Sequence, residues 1–206
     1  MMKGRYVVIE GLDGCGKSTQ HELLCSAVPN SLAIREPGFT TAGEAIRNIV
    51  KDASVPRSPR TNGYLFSAAR ADLIDTVVRP AILSGKHVIS DRNWLSTAAY
   101  QQVEGASMQD ILQLAKLATQ EFFVPDLVVF IDVSAETCQK RLRARGKVAK
   151  DYFDSKGIDY FKGVRQAYID ALQDVQCHVV IDGDRPAVHV QSAILQSIAT
   201  YLPQLV

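Results

Sequence analysis

The sequence predicts an α/β domain of three layers, a parallel five-stranded sheet with helices on both faces. Three observations carry this reading. Short apolar runs recur five times along the chain. They are apolar almost throughout rather than alternating, as strands buried on both faces must be. Stretches with helical spacing separate them, the alternation that builds a parallel sheet.

Each element follows from its own residues. Tyr6–Glu10 (Y-V-V-I-E) is β-branched, stops at Gly11 and reads as the first strand. Gly16–Ala27 has helical spacing, with Leu23, Leu24 and Ala27 on one side, and Pro29-Asn30 ends it. Leu32–Arg35 is a second strand, broken by Glu36-Pro37-Gly38. Ala42–Lys51 reads as a helix, and Asp52–Arg60, with Pro56 and Pro59, as a loop. Asn62–Leu83 is a long Ala- and Leu-rich helix that Pro80 should kink or locally break near its end. His87–Ser90 is a third strand, Met108–Phe123 a helix, and Leu127–Val133 a strongly apolar fourth strand. Ala135–Arg145 is a helix that stops at Gly146, Tyr160–Gln176 another, His178–Ile181 the last strand and Val188–Leu202 the last helix.

The bulk properties narrow the class. With 206 residues, 47% of them hydrophobic, the chain suits one domain over residues 1–206 with a full core. Lys and Arg number 23 against 22 Asp and Glu, so the basic excess of a nucleic-acid-binding surface is absent. No apolar stretch approaches the ~20 residues that span a bilayer. Cys15, Cys25, Cys138 and Cys177 are scattered without metal-ligand spacing. With no secretory signal visible, free thiols and a cytoplasmic setting are expected.

The most specific signal is local. Gly11-Leu12-Asp13-Gly14-Cys15-Gly16-Lys17-Ser18 fits G-x-x-x-x-G-K-[ST], between a buried strand and a helix. Glycines let the backbone aim several N–H groups at one phosphate cluster. The helix that follows, with Thr19 in its first turn, presents free N–H groups and partial positive charge. Lys17 would reach the β- and γ-phosphates of a nucleoside triphosphate such as ATP, and Ser18 would ligate Mg²⁺. Asp13 can lie near that metal or the transferring phosphate. These features predict a P-loop NTPase fold. No guanine-reading N-K-x-D is present, and the chain is short for a motor or transporter. A kinase for a nucleotide or other small metabolite remains.

Three further clusters bear on the acceptor: Arg35-Glu36-Pro37-Gly38, Phe66-x-x-Ala69-Arg70-Ala71-Asp72, and Asp91-Arg92-Asn93-x-x-Ser96-x-x-x-Tyr100-Gln101. The first and third follow strand ends, where ligands gather in α/β sheets. In order and spacing, E-G-L-D-G-C-G-K-S-T, R-E-P-G, A-R-A-D-L, D-R-N-x-x-S-x-x-A-Y-Q and P-D-L-V-V-F-I-D-V resemble the thymidylate kinases over essentially the whole chain. The resemblance implies transfer of the γ-phosphate of ATP to dTMP with Mg²⁺, by an enzyme commonly homodimeric. By position, it implies that Phe66 stacks on thymine, Arg70 bonds the base edge and Arg92 holds the acceptor phosphate. Arg35 and Glu36, next to Pro37, would shape the acceptor site, and Tyr100 would lie against the sugar and Gln101 by the base. Ser96 belongs to the same motif, and Asp91 would orient Arg92 or a metal-bound water.

Lys140, Arg141, Arg143, Arg145, Lys147 and Lys150 place six basic residues within eleven. A helix C-terminus favours one or two such charges, not six. The resemblance implies a lid, about 141–153, that closes over ATP. Gly14 and Cys15 leave the P-loop without an arginine, so the lid should supply the catalytic one, Arg143 or Arg145, with Arg141 beside the adenine.

Two positions depart from the family pattern. Phe39 stands where a second glycine is usual, and Asn93 where an aromatic or His is usual. Both should reshape the acceptor side, which keeps dUMP and 5-substituted deoxyuridylates open. A deoxynucleoside kinase, with Glu10 or Glu36 as base, is the first rival, and a non-enzymatic ATP-binding module the second.

Overall fold

Five parallel strands form one sheet in the order β2-β3-β1-β4-β5. They are β1 (Tyr6–Glu10), β2 (Ser31–Arg35), β3 (His87–Asp91), β4 (Leu127–Asp132) and β5 (His178–Asp182). The computed structural model describes residues 3–122, 124–144 and 156–205. All five residues of β1 are buried, as a central strand with helices on both faces requires. Val7, Val8 and Ile9 join Val88, Ile89 and Leu127–Ile131 in a continuous core.

Helices fill the intervals: α1 (Lys17–Ala27), α2 (Thr41–Lys51), α3 (Pro59–Leu73), α4 (Arg79–Leu83), α5 (Trp94–Val103), α6 (Met108–Thr119), α7 (Ala135–Ala144), α8 (Ile158–Leu172) and α9 (Ala187–Tyr201). Two findings differ from the expectations, and the expected break at Pro80 takes a particular form. The loop after α2 is shorter, because the Ser58 side chain accepts from the Thr61 N–H and caps α3, with Pro59 at its start. The long helix is interrupted by a π-helical turn, Ile74–Val78, ahead of Pro80. Pro80 offers no N–H and crowds the carbonyl four residues back; the wider turn absorbs this, with the Arg79 N–H bonding Ile74 O. Helix α5 was not expected at all. Trp94, Leu95, Thr97–Gln101 are buried, so the segment lacks the polar face that gives a helix its sequence period.

Register sets the site. Ile9 pairs with Asp91, and Asp91 with Arg35. The P-loop, Arg35 and Asp91-Arg92 therefore leave the sheet at one level, along its carboxyl edge.

Candidate active site

The P-loop turns through Gly11, Gly14 and Gly16, all at positive φ. Two of these glycines are also sterically required. A Cβ on Gly14 would lie 2.5 Å from the Cys138 carbonyl oxygen, and one on Gly11 2.7 Å from Ile131 O. Lys17 is buried and donates to Leu12 O at 2.8 Å, with Asp13 at 3.9 Å. Ser18 Oγ donates to Asp91 Oδ2 at 3.3 Å, and the other Asp91 oxygen is buried without a hydrogen-bond partner. Lys17, Ser18, Thr19 and Asp91 line a cleft of about 840 Å³.

Arg92 follows β3 with φ 78°, a left-handed conformation that a non-glycine residue adopts only under constraint. One terminal nitrogen, Nη2, donates to Asp13 Oδ1 at 2.6 Å. The other, Nη1, donates to Ser96 Oγ at 2.8 Å and Tyr168 Oη at 2.9 Å. Its guanidinium also lies 5.2 Å from the Tyr100 ring centroid. Burial opposes charge on Arg92, but the Asp13 carboxylate outweighs it and the guanidinium holds its proton more firmly than usual. Burial likewise opposes charge on Asp13; Arg92, Lys17 and the Tyr100 hydroxyl overcome it and hold this carboxyl well below the usual range.

A second cleft, of about 680 Å³, opens beside the first. Phe66, Arg70, Pro37, Ser96, Tyr100 and Gln101, six residues expected on the acceptor side, all line it. At its wall Arg70 Nε donates to Glu36 Oε2 at 2.6 Å, with side chains only 3% and 4% exposed. Arg70 Nη2 bonds Thr97, while Arg70 Nη1 and Gln101 Oε1 are buried without a hydrogen-bond partner among the described residues. Burial pushes the Glu36 carboxyl up, against the pull of Arg70. Asp13, Glu36, Arg47, Lys51 and Arg92 border both clefts, which therefore meet.

Several expected residues sit elsewhere or play other parts. Arg35 lines the P-loop cleft, not the second cleft that holds Phe66 and Arg70, and pairs with Glu44 at 2.8 Å. The carboxylate beside Ser18 is Asp91; both Asp13 oxygens serve Arg92 and Tyr100. Phe39 is 43% exposed and lines neither cleft, whereas Asn93 lines the second. Arg141 donates to Cys15 O and Gly183 O, bracing the back of the P-loop. Arg143 is exposed on the last turn of α7, and Arg145 and most of the expected lid lie outside the described residues. Arg47 and Lys51 were not foreseen, although two cations four apart on the helix after Arg35-Glu36-Pro37-Gly38 were a readable signal.

This geometry agrees with comparison to known proteins. The family model described as thymidylate kinase matches residues 9–194. The chain belongs to the thymidylate kinase family. Proteins named thymidylate kinase from Thermoanaerobacter sp. (strain X514) and Thermoanaerobacter pseudethanolicus (strain ATCC 33223 / 39E) are each 35% identical to it, across 98% of this chain and 100% of theirs. Family membership makes the chain an ATP-dependent nucleoside monophosphate kinase, and no helix among the described residues is long and apolar enough to cross a membrane.

Proposed function

We propose that this chain transfers the γ-phosphate of ATP to dTMP, giving ADP and dTDP. The observation that carries the reading is the meeting of the P-loop cleft and the acceptor cleft at Asp13 and Arg92. Donor and acceptor phosphates bound on either side would face each other across the Arg92 guanidinium. Phosphoryl transfer of this kind rests on positioning and charge stabilisation rather than on a strong base.

Each residue has a part in that geometry. The P-loop N–H groups and Lys17 bind the donor phosphates. Arg92 and Arg47 hold the acceptor phosphate, Arg92 with a planar fork suited to its oxygens. Phe66 offers a flat face to the base, and the unpaired Arg70 Nη1 and Gln101 Oε1 offer a donor and an acceptor to its edge. Tyr100, fixed by its bond to Asp13 at 2.9 Å, lies against the sugar. A lid arginine, Arg143 or Arg145, completes the charge stabilisation, while Arg141 braces the P-loop through Cys15 O and Gly183 O.

The residues fit Mg²⁺. The Ser18 hydroxyl and the Asp91 carboxylate beside it would hold it, directly or through water. Bound there, it would neutralise the donor phosphates and orient them.

The nucleoside-kinase rival loses support at Glu10. This carboxylate is fully buried and accepts from Asn93, Ser96 and Tyr168, so it is not placed to take a proton from a 5′-hydroxyl. Glu36 is engaged with Arg70. A homodimer and a cytoplasmic setting complete the reading. The exposed Tyr64 and Leu117, on helices that pack together, and four free cysteines support them.

The deciding experiment is coupled ADP release with dTMP, dUMP, 5-hydroxymethyl-dUMP, dCMP, dGMP and thymidine. Turnover is expected to be fastest with dTMP and absent with thymidine. Preference for dUMP or the 5-hydroxymethyl compound would shift the acceptor, with the unpaired Asn93 Nδ2 as the first suspect. No ADP with any acceptor would sink the reading.

A further inference from the structure

Arg92 is useful only if its guanidinium is aimed, and its backbone does not aim it unaided. A non-glycine residue at φ 78° stays there because its surroundings hold it. Those surroundings include Glu10 and Tyr168, two residues absent from both cleft linings. Glu10 ends β1 and is 0% exposed. Its Oε1 accepts from the Asn93 N–H at 2.8 Å and the Ser96 N–H at 3.3 Å. Its Oε2 accepts from Ser96 Oγ at 2.7 Å and from Tyr168 Oη at 2.9 Å. Arg92 Nη1 lies 3.9 Å from that same oxygen.

The chemistry of these groups fixes the direction of the bonds to Arg92. An ionised carboxylate only accepts, and a hydroxyl has one hydrogen to give. Ser96 Oγ and Tyr168 Oη also lie 2.7 Å apart, so their two hydrogens are shared between Glu10 and that contact, and each offers lone pairs to Arg92, which can only donate. Both distances to Nη1, 2.8 and 2.9 Å, are those of well-made bonds. One guanidinium nitrogen is thereby anchored, and the Nη2 edge is turned to the junction of the two clefts, where Asp13 now meets it. Helix α8 delivers Tyr168 from a fixed platform, since Arg165, one turn earlier, forms two 2.7 Å bonds to Asp132 at the end of β4.

We infer that Glu10 and Tyr168 are positioning residues for the acceptor phosphate: they touch no substrate and act by orienting Ser96 and the Arg92 guanidinium. This rests on the dTMP kinase reading. A purely structural polar knot, pinning α5 and α8 to the sheet, would have the same contacts but different consequences.

The test is Tyr168→Phe, which removes one oxygen and leaves the ring packed against Phe130 at 5.3 Å and Tyr100 at 6.2 Å. Binding of dTMP and of ADP is measured by calorimetry, with the melting temperature alongside. The dTMP Kd is expected to rise about 10-fold, the scale of one hydrogen bond to a charged group. The ADP Kd should stay within about twofold, and steady-state KM should rise for dTMP but not for ATP. Glu10→Gln, of equal shape, should act in the same direction. Its amide donates where the carboxylate accepted, so the Ser96 and Tyr168 hydroxyls must reorient beneath Arg92. A folded Tyr168→Phe protein with unchanged dTMP affinity overturns the inference, and so does equal weakening of dTMP and ADP in step with a lower melting temperature. If the unaltered protein itself fails to bind dTMP, the functional reading falls and this inference with it.

Discussion

Replacing Arg70 by Leu should cost more in stability than any other single change at the acceptor cleft. The guanidinium sits 2.6 Å from Glu36, and neither side chain is more than 4% exposed. Removing it strands a buried carboxylate, which costs about 3–5 kcal/mol. At about 2–4 °C per kcal/mol for a chain of this size, the melting temperature should fall by roughly 6–20 °C. The loss must depend on pH. Burial already raises the Glu36 pKa, and Arg70 is the main opposing influence. Without Arg70 the folded value climbs further above the unfolded value of about 4.3. A carboxyl raised in this way is stabilising below its unfolded pKa, and that contribution is lost as pH rises through the folded pKa. The deficit of Arg70→Leu should therefore be largest at pH 8 and shrink toward pH 5. Adding Glu36→Leu removes the stranded charge and should restore most of the stability without restoring turnover of dTMP. Urea unfolding can be followed through the single tryptophan, Trp94, which is 5% exposed. A single variant less than about 1 kcal/mol destabilised, or a double variant weaker than the single one, would refute the buried-pair reasoning.

Three other outcomes are expected. Gly14→Ala adds a Cβ 2.5 Å from Cys138 O at φ +87°, so it should lose ADP affinity and at least about 1–2 kcal/mol of stability; Gly105→Ala, at φ +92° with open space around it, should show only the conformational cost in a parallel melt. Alanine at Arg143 or Arg145, tested singly, should lower kcat by about 10³-fold at one position with little change in ATP affinity, and unchanged turnover in both variants would remove the lid arginine from the mechanism. Chelation should abolish ADP release and added Mg²⁺ restore it, while Asp91→Asn should raise the Mg²⁺ needed for half-maximal turnover by about 10-fold; an unaltered titration would exclude Asp91 from the metal site.

The sequence alone determined what depends on contiguous residues. The P-loop is legible because its glycines, Lys17 and Ser18 act within one turn of backbone. Strands β1 and β4 are legible because burial on both faces leaves an unbroken apolar run. Phe66, Arg70 and Arg92 could be named from motif spacing, although what each touches could not. Tertiary structure decided the rest. Helix α5 has no polar face to announce it, since it is covered on nearly every side. The partners of Arg92 lie 79 residues away in Asp13 and 76 in Tyr168, and Glu10 stands 158 residues from the Tyr168 hydroxyl it accepts. A parallel sheet places its strand ends side by side whatever their separation along the chain, and the carboxylate beside Ser18, the one that meets Arg92 and the one buried beneath it are set apart only by that arrangement.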